Sequence, residues 1–304
     1  MFLKKTMLTF LVLITFLKLN SSDLDNSLTS GQMHFITSIP SLIKSIDYIA
    51  DYFQYFNEGK NYPELPEDIK QWCDTILNKY GYGNLRTVLK LSPYDNETYL
   101  MCVRRCNIIL SKNTQQRLSA ALKKDGKAYK ELLQGSTKIN PISMEQFISY
   151  CECGLMHEIS HYKNSDSTMH RIGYPIISVL VNYLMKKIIK FDNNKSSHFL
   201  IAHLGFISVL KYVIIEFLYY KFFRVRQETG ADLFALSRMK DLKIIEDLIV
   251  IYKRKVDIFK LENPILKWIK SLTFMRLLYY FRNGYVFPPD AIKMLEQKKD
   301  LVKA

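Results

Sequence analysis

Apolar residues recur at every fourth position through the middle of the chain. Four of them fall on one face of a helix: Phe147, Cys151, Leu155 and Ile159. Ser143, with Gln146 three residues later, forms the capping-box pattern that starts a helix. The pattern therefore predicts an amphipathic helix over about residues 144–163, with polar residues beside its apolar stripe.

Shorter patterns before this helix predict further elements. Ser38 followed by Pro40 opens a helix to about residue 56, and Pro66 opens another to about residue 80. β-Branched and apolar runs predict three strands, and a polar stretch predicts a helical excursion with a loop: residues 87–91, 99–104, 107–110 and 112–142. The fold is thus predicted as α+β, predominantly α-helical, with a small β-sheet packed on the helix at 144–163.

Two apolar segments follow, at residues 172–185 and 199–220. The second is long enough to cross a bilayer, but Lys211 and Glu216 interrupt it, and a charge near the centre of a span costs a few kcal/mol. On these grounds we predict a pair of buried helices over residues 172–220. Helices are also expected at about 224–240 and within 241–304.

The N-terminus has the layout of an export signal. Lys4 and Lys5 precede a mostly apolar run at residues 7–17, which is followed by polar residues. This predicts a signal peptide or a short N-terminal anchor over residues 1–22, and therefore an exported or membrane-associated protein. Residues 23–304 are then expected to form the functional domain.

Composition narrows the classes of partner. The chain has 304 residues, 48% hydrophobic, with a mean hydropathy of −0.07 that argues against many membrane spans. A net charge of +14 suits an anionic membrane surface, although a solvated basic surface is the simpler interpretation. The basic residues are dispersed and no nucleic-acid-binding motif accompanies them, so no nucleic-acid partner is expected.

The polar face of the predicted helix carries His157-Glu158-x-x-His161. Positions i and i+4 lie one turn apart on a helix, so both imidazoles can bind one ion, and Glu158 lies beside them to act on a water at that ion. This spacing is typical of zinc hydrolases. The simpler alternative is two solvent-facing histidines, and a third ligand decides between them.

Glu228 and Asp232 supply that third ligand and a supporting carboxylate. They are again i and i+4, so one helix can present both. Two histidines and one glutamate leave an open fourth position, which is typical of a catalytic rather than a structural zinc site. Asp232 is expected to accept the remaining ring N–H of a ligand histidine.

Five cysteines leave an odd number for pairing. Burial as small apolar residues is the default interpretation, and disulfides of Cys102 with Cys106 or with the 151/153 pair are the alternative. All five lie before the second zinc motif: Cys73, Cys102, Cys106, Cys151 and Cys153.

These motifs resemble the HtpX-like and CAAX-prenyl-endopeptidase-like zinc metallopeptidases. Residues 157–166 are similar to the HExxHxxNxD pattern of that family, and residues 228–232 to its ExxAD pattern. The resemblance covers roughly residues 144–240. It implies a zincin-type fold that binds one Zn²⁺ through His157, His161 and Glu228, with Glu158 as the catalytic base. It also implies that Asp232, Asn164 and Asp166 are supporting residues. It departs at Phe287, where the family usually has histidine before proline.

The resemblance also implies a function. We expect a zinc-dependent endopeptidase with Glu158 as general base, acting on peptides or unfolded proteins in membrane or envelope quality control. Such peptidases add an extended substrate to a sheet edge, for which Asn107–Leu110 is the candidate. Membrane members place a transmembrane hairpin where residues 172–220 lie, so the resemblance implies such a hairpin as the alternative to a pair of buried helices. A non-catalytic membrane-surface chaperone or adaptor on the same scaffold is the alternative, and a basic binding module is a third.

Overall fold

A computed structural model describes residues 29–58, 62–85, 88–91, 101–104, 107–134, 142–190, 197–262 and 285–303. The first helices and the strands are, in chain order, α1 Ser30–Ile36, α2 Ile39–Glu58, α3 Glu67–Lys79, β1 Val88–Leu91, β2 Met101–Arg104 and β3 Asn107–Leu110. The later helices are α4 Lys112–Leu122, α5 Gly126–Gln134, α6 Met144–Lys163, α7 Asp166–Ile188, α8 Ser197–Tyr219, α9 Val225–Arg238, α10 Leu242–Glu262 and α11 Pro288–Lys303. A π-helical turn, Tyr220–Arg224, precedes α9.

The chain divides into two compact units. One, here the hairpin unit, comprises residues 1–54 and 168–223, and the other, the site unit, comprises residues 55–167 and 224–304. The predicted α+β, mostly helical fold is confirmed. Residues 1–22, and the C-terminal helices expected at 264–282, lie outside the described residues.

The site unit is organised around α6. The Ser143 hydroxyl accepts from the Gln146 backbone N–H, and the Gln146 side chain accepts from the Ser143 N–H, so the predicted capping box is present. Helices α4, α9 and α10 and strand β2 pack against α6. Its apolar stripe joins a core that includes Phe147, Leu155 and Ile159. The core thereby holds the polar face of α6 in a fixed orientation.

The sheet corrects one prediction. Its strand order is β1-β3-β2, with β3 parallel to β1 and antiparallel to β2. Asn107–Leu110 is therefore a central strand and not an edge, and its backbone groups are used by two neighbours. The outer side of β1 is partly covered, because Lys90 bridges to Glu64 and the Leu91 N–H donates to the Pro63 carbonyl. Among the described strands, Met101–Arg104 has the more open edge.

The hairpin unit buries charged and polar side chains beside an apolar cluster that includes Tyr174, Ile215 and Tyr219. Lys211 is 1% exposed, and its Nζ donates to Thr37 Oγ1 at 2.8 Å and Ser38 Oγ at 3.1 Å. Lys44 forms an ion pair with Glu216 and lies 3.3 Å from the Tyr212 hydroxyl. The two charges that interrupt the apolar run on α8 are thus both satisfied by residues of the N-terminal helices.

The exterior of the same unit is apolar. Large side chains on α7 and α8 point outward at three- and four-residue spacings, among them Ile172, Ile176, Val179, Leu180, Tyr183, Phe206, Val209, Val213 and Phe217. The preference for two buried helices is therefore wrong for these faces. The described residues contain one helix, Ile201–Arg238, that is long and apolar enough to cross a membrane.

The cysteines follow their default interpretation where they are described. Cys73, Cys151 and Cys153 are buried free thiols, and burial raises the pKa of each. Pairing of Cys102 with the 151/153 pair is therefore wrong. Cys106 lies outside the described residues.

Candidate functional site

Three side chains from two distant parts of the sequence meet at one point of the site unit. The Nε2 atoms of His157 and His161 lie 3.0 Å apart, and Glu228 Oε2 lies 3.4 Å and 3.6 Å from them. Their ligand atoms all lie within 4.8 Å of one another. We refer to these three residues as the ligand cluster, which the sequence analysis named in full.

Both histidines are oriented by carboxylates. His157 Nδ1 lies 2.8 Å from Asp232 Oδ1, and His161 Nδ1 lies 2.8 Å from Asp166 Oδ2. Each carboxylate accepts the Nδ1 proton, so each imidazole presents its Nε2 to the cluster. Asp232 and Asp166 thus each contact one of the two histidines, and their role in supporting a metal site stays a prediction.

The left-handed backbone conformation of Ser165 allows the Asp166 side chain to contact the preceding helix α6. Helix α6 ends at Lys163, and Ser165 follows with φ of 53°, a conformation that residues with a Cβ rarely adopt. This turn begins α7 at Asp166. Gln227 lies on the other side of the same residue and donates to the Asp166 carbonyl at 3.4 Å. The backbone bend thus supports the orientation of His161.

Proton affinities in the cluster reflect its charges. Burial lowers the pKa of His157, but hydrogen bonds to Asp232 and Glu228 outweigh burial and raise it to about 10. Burial likewise lowers the pKa of His161, while Asp166 and Glu228 raise it to about 9. Burial raises the pKa of Glu228, but the two imidazoles lower it well below its usual range. The surrounding carboxylates thus favour positive charge at the two imidazoles, carried by a proton or by a cation.

The geometry fits a zinc ion. A tetrahedral ion with bonds of about 2.0–2.1 Å separates its ligand atoms by roughly 3.3 Å, and the three observed separations lie on either side of that value. The two Nε2 atoms at 3.0 Å also need a shared proton or a cation between them, because both are turned inward by their carboxylates. Two nitrogens and one carboxylate are a donor set that zinc prefers.

Glu158 is buried near the ligand cluster, whereas Asn164 is exposed at the end of α6. Glu158 is 9% exposed, and its carboxylate is close enough to raise the pKa of both ligand histidines. Asn164 is exposed at the C-cap of α6, where its Nδ2 lies 3.4 Å from Ser160 Oγ. Asn164 thus supports the helix end and makes no described contact with the ligand cluster.

One residue beside the cluster was missed by sequence reasoning. The Tyr285 ring lies 6.0 Å from the His157 ring, and the adjacent Val286 N–H donates to Asp232 Oδ2 at 3.0 Å. Burial and the nearby Glu228 raise the pKa of Tyr285. Tyr285 belongs to no sequence motif with a characteristic spacing, so its position near His157 could not be predicted from the sequence. Arg224 and Arg226, the basic residues closest in sequence to Glu228, are both exposed.

Comparison with known proteins agrees with this geometry. Residues 155–260 match the model of peptidase family M48, a stretch of about a third of the chain that contains the whole ligand cluster. Searches of the curated proteins and of the solved structures gave no match. The match concerns the family as a whole, so the HtpX-like relationship stays a prediction. M48 peptidases are zinc metalloproteases, and the helical α+β fold agrees with a zincin-type peptidase. The chain is thus similar to family M48 metallopeptidases over the stretch that contains the ligand cluster.

Proposed function

We propose that this protein is a zinc-dependent endopeptidase. The observation that carries the proposal is the convergence of the His157, His161 and Glu228 ligand atoms within 4.8 Å, with Glu158 buried next to His157. A zinc ion held there supplies Lewis acidity, which polarises a carbonyl and lowers the pKa of a water molecule. The ligand set leaves a vacant coordination position, as a catalytic site requires.

Glu158 acts as the general base in this proposal. It takes a proton from the attacking water and later passes it to the amine that leaves. Asp232 and Asp166 hold the imidazoles with Nε2 inward, so that neither ring must reorient during the reaction. An intact base and ligand set leave the non-catalytic adaptor without a supporting observation.

The substrate is proposed to lie along β2. An extended peptide gains backbone hydrogen bonds by adding to a sheet edge, and Met101–Arg104 has the more open edge of the described sheet. This strand also packs against α6, which carries the ligands. In this proposal β2 is the substrate-binding edge strand, the role that the sequence analysis gave to β3. Backbone binding tolerates many sequences, which suits peptides and unfolded proteins as substrates.

The hairpin unit is proposed to lie in a membrane. Helices α7 and α8 each have 23 residues, about 34 Å at 1.5 Å per residue, and the hydrocarbon core is about 30 Å thick. Their outward faces are apolar, while Lys211 and Glu216 are satisfied inside the unit. Soluble proteins rarely expose such a continuous apolar face. A peptidase held there suits quality control of membrane or envelope proteins.

One experiment tests the activity. The full chain, purified in detergent, is assayed for metal content and for degradation of fluorescein-labelled casein, with and without chelator. We expect zinc near one ion per chain, degradation that chelator stops and zinc restores, and no degradation by Glu158→Gln, which retains zinc. Undiminished degradation by Glu158→Gln contradicts the proposed role of Glu158.

A second experiment tests the location. Membranes from cells that express the chain are washed at alkaline pH, which releases peripheral proteins and leaves integral ones. We expect the protein to stay in the membrane pellet. Its complete release contradicts insertion of the hairpin unit while leaving the peptidase proposal untouched.

A further inference from the structure

The aromatic ring of Tyr285 lies beside the ligand cluster. Its ring centroid lies 6.0 Å from that of His157, and the two rings are tilted by 42°. The residue belongs to the site unit and directly precedes the segment that leads into α11. A side chain in this position borders the space that a substrate carbonyl must enter to react.

The backbone next to Tyr285 is tied to a ligand. Asp232 uses one oxygen for His157 Nδ1 and its other oxygen for the Val286 N–H at 3.0 Å. One carboxylate therefore fixes both the imidazole and the segment that carries the tyrosine. Val286 and Phe287 are each 3% exposed, which anchors the same segment in the core. The distance between the tyrosine and the cluster is thus set by a shared partner.

The side chain of Tyr285 is only partly covered. Tyr285 is 43% exposed, although the two residues after it are buried. Within the part of the chain that the structure describes, no residue is hydrogen-bonded to its hydroxyl. A phenol has one strong donor and needs a partner when a substrate excludes water around it.

The geometry points to Tyr285 as a catalytic residue that donates its phenolic O–H to the oxygen of the scissile carbonyl as that carbon becomes tetrahedral. This inference rests on the proposed peptidase function. Negative charge develops on that oxygen, and a donor held in place beforehand stabilises the transition state more than the substrate.

The matched pair of variants is Tyr285→Phe and Tyr82→Phe. Each removes one hydroxyl and keeps the ring, and Tyr82 packs 6.2 Å from Phe234 in the same unit. With labelled casein, we expect Tyr285→Phe to lower kcat by about 100- to 1,000-fold with KM and zinc content unchanged. Tyr82→Phe should retain the wild-type kcat.

A binding measurement distinguishes hydrogen-bond donation by the Tyr285 hydroxyl from a purely structural role of this residue. Zinc-loaded protein is titrated with two inhibitors of one peptide sequence, a phosphinate, whose tetrahedral oxygens mimic the reacting carbonyl, and a thiol, which has no such oxygen. We expect Tyr285→Phe to weaken phosphinate binding at least tenfold and to leave thiol binding unchanged. Equal loss for both inhibitors, or full kcat in Tyr285→Phe, overturns the role of Tyr285.

The outcomes also distinguish this inference from the peptidase proposal. If wild type is active, Glu158→Gln is inactive and Tyr285→Phe is fully active, only the role of Tyr285 fails. If wild type binds neither inhibitor and does not degrade casein, the peptidase proposal fails and the role of Tyr285 fails with it.

Discussion

The two units of this protein place their polar groups in opposite ways. In the site unit, an apolar core supports a polar cluster of histidines and carboxylates on one face of α6. In the hairpin unit, Lys211 and several serines are buried beside a small apolar cluster, and many large apolar side chains on the outer faces of α7 and α8 are exposed. The site unit thus buries most of its large apolar side chains, whereas α7 and α8 expose many of theirs. The mean hydropathy averages over both and describes neither.

The largest effect is expected from the loss of a ligand in the site unit. Glu228→Ala removes one of three protein donors, and we expect zinc affinity to fall by about 1,000-fold or more, since even supporting residues change it 10- to 100-fold. Competition with a fluorescent zinc chelator measures the affinity. The hairpin unit contains none of these ligands, so the variant should still pellet with membranes. Retention of wild-type zinc affinity would remove Glu228 from the site.

A matched pair of charge insertions tests the contrast directly. Val213, 55% exposed in the hairpin unit, and Val250, 38% exposed in the site unit, are each changed to lysine. A lysine near the centre of a span costs about 2.5–3.5 kcal/mol, so Val213→Lys should shift much of the protein out of the alkali-washed membrane pellet. Val250→Lys faces water and should change nothing. Equal behaviour of the two variants would show that the outer face of α8 does not contact lipid.

The dependence of zinc affinity on pH tests the charges of the ligand cluster. With pKa values raised to about 10 and 9, His157 and His161 carry protons at neutral pH that zinc must displace. Affinity should therefore rise with pH up to about pH 9, by about tenfold per pH unit for each proton released. The number of protons released on zinc binding is measured by calorimetric titration in two buffers that differ in their heat of ionisation.

The same pKa values predict how metal-free stability changes with pH. A pKa raised by folding contributes stability that is fully present below the unfolded value near 6.5 and is lost as pH rises through about 9–10. Thermal unfolding of chelated protein should therefore shift to lower temperature over that range. A flat profile across it would mean that the histidines keep their ordinary pKa without zinc.

A smaller effect is expected from one carboxylate that orients a ligand. Asp232→Asn keeps the shape of the side chain but weakens its acceptance of the His157 proton, so zinc affinity should fall by about 10- to 100-fold. Asp166→Asn provides the parallel test on His161. Zinc titration of both variants measures the change in affinity. Unaltered affinity in both would mean that the two carboxylates are not needed to orient the imidazoles.

The smallest effect is expected at the turn after α6. Ser165 has a positive φ, which disfavours a residue with a Cβ by about 1–2 kcal/mol. Ser165→Gly should raise the free energy of unfolding by up to about 1 kcal/mol, and Ser165→Val should lower it by a similar amount. Chemical denaturation of the two variants measures both changes, and identical stabilities would mean that the turn relaxes on substitution.

Local signals predicted the elements well. The Ser143 and Gln146 capping pattern marks the start of α6, and the bounds of Asn107–Leu110 match those of β3. The position of β3 within the sheet was wrong, because strand order depends on pairing with β1, far along the chain, and leaves no trace in the pattern of one strand. Sequence spacing shows which residues form a strand but not which neighbours it has.

Errors about environment share the same cause. The prediction of buried helices was wrong for the outer faces of α7 and α8, and the two charges on which it relied, Lys211 and Glu216, contact Thr37 and Lys44 from the N-terminal part of the chain. Tyr285 was missed because its relation to His157 arises from the fold and from the second oxygen of Asp232. His157 and His161 were predictable as a pair because one ion needs them one helical turn apart, and Glu228 was predictable because it stands with Asp232 in a second motif, whereas the surroundings carry no such pattern.

The separation of the two ligand motifs along the chain has a consequence for biogenesis. Glu228 can join His157 and His161 only after the stretch from Tyr162 to Gln227, with nearly all of the apolar hairpin, has been synthesised and folded back. A zinc ion bound by all three residues would close this long loop, and its binding energy would offset the entropy of that closure. A newly made chain in which Glu228 has not yet joined the two histidines therefore lacks the third ligand of the proposed zinc site.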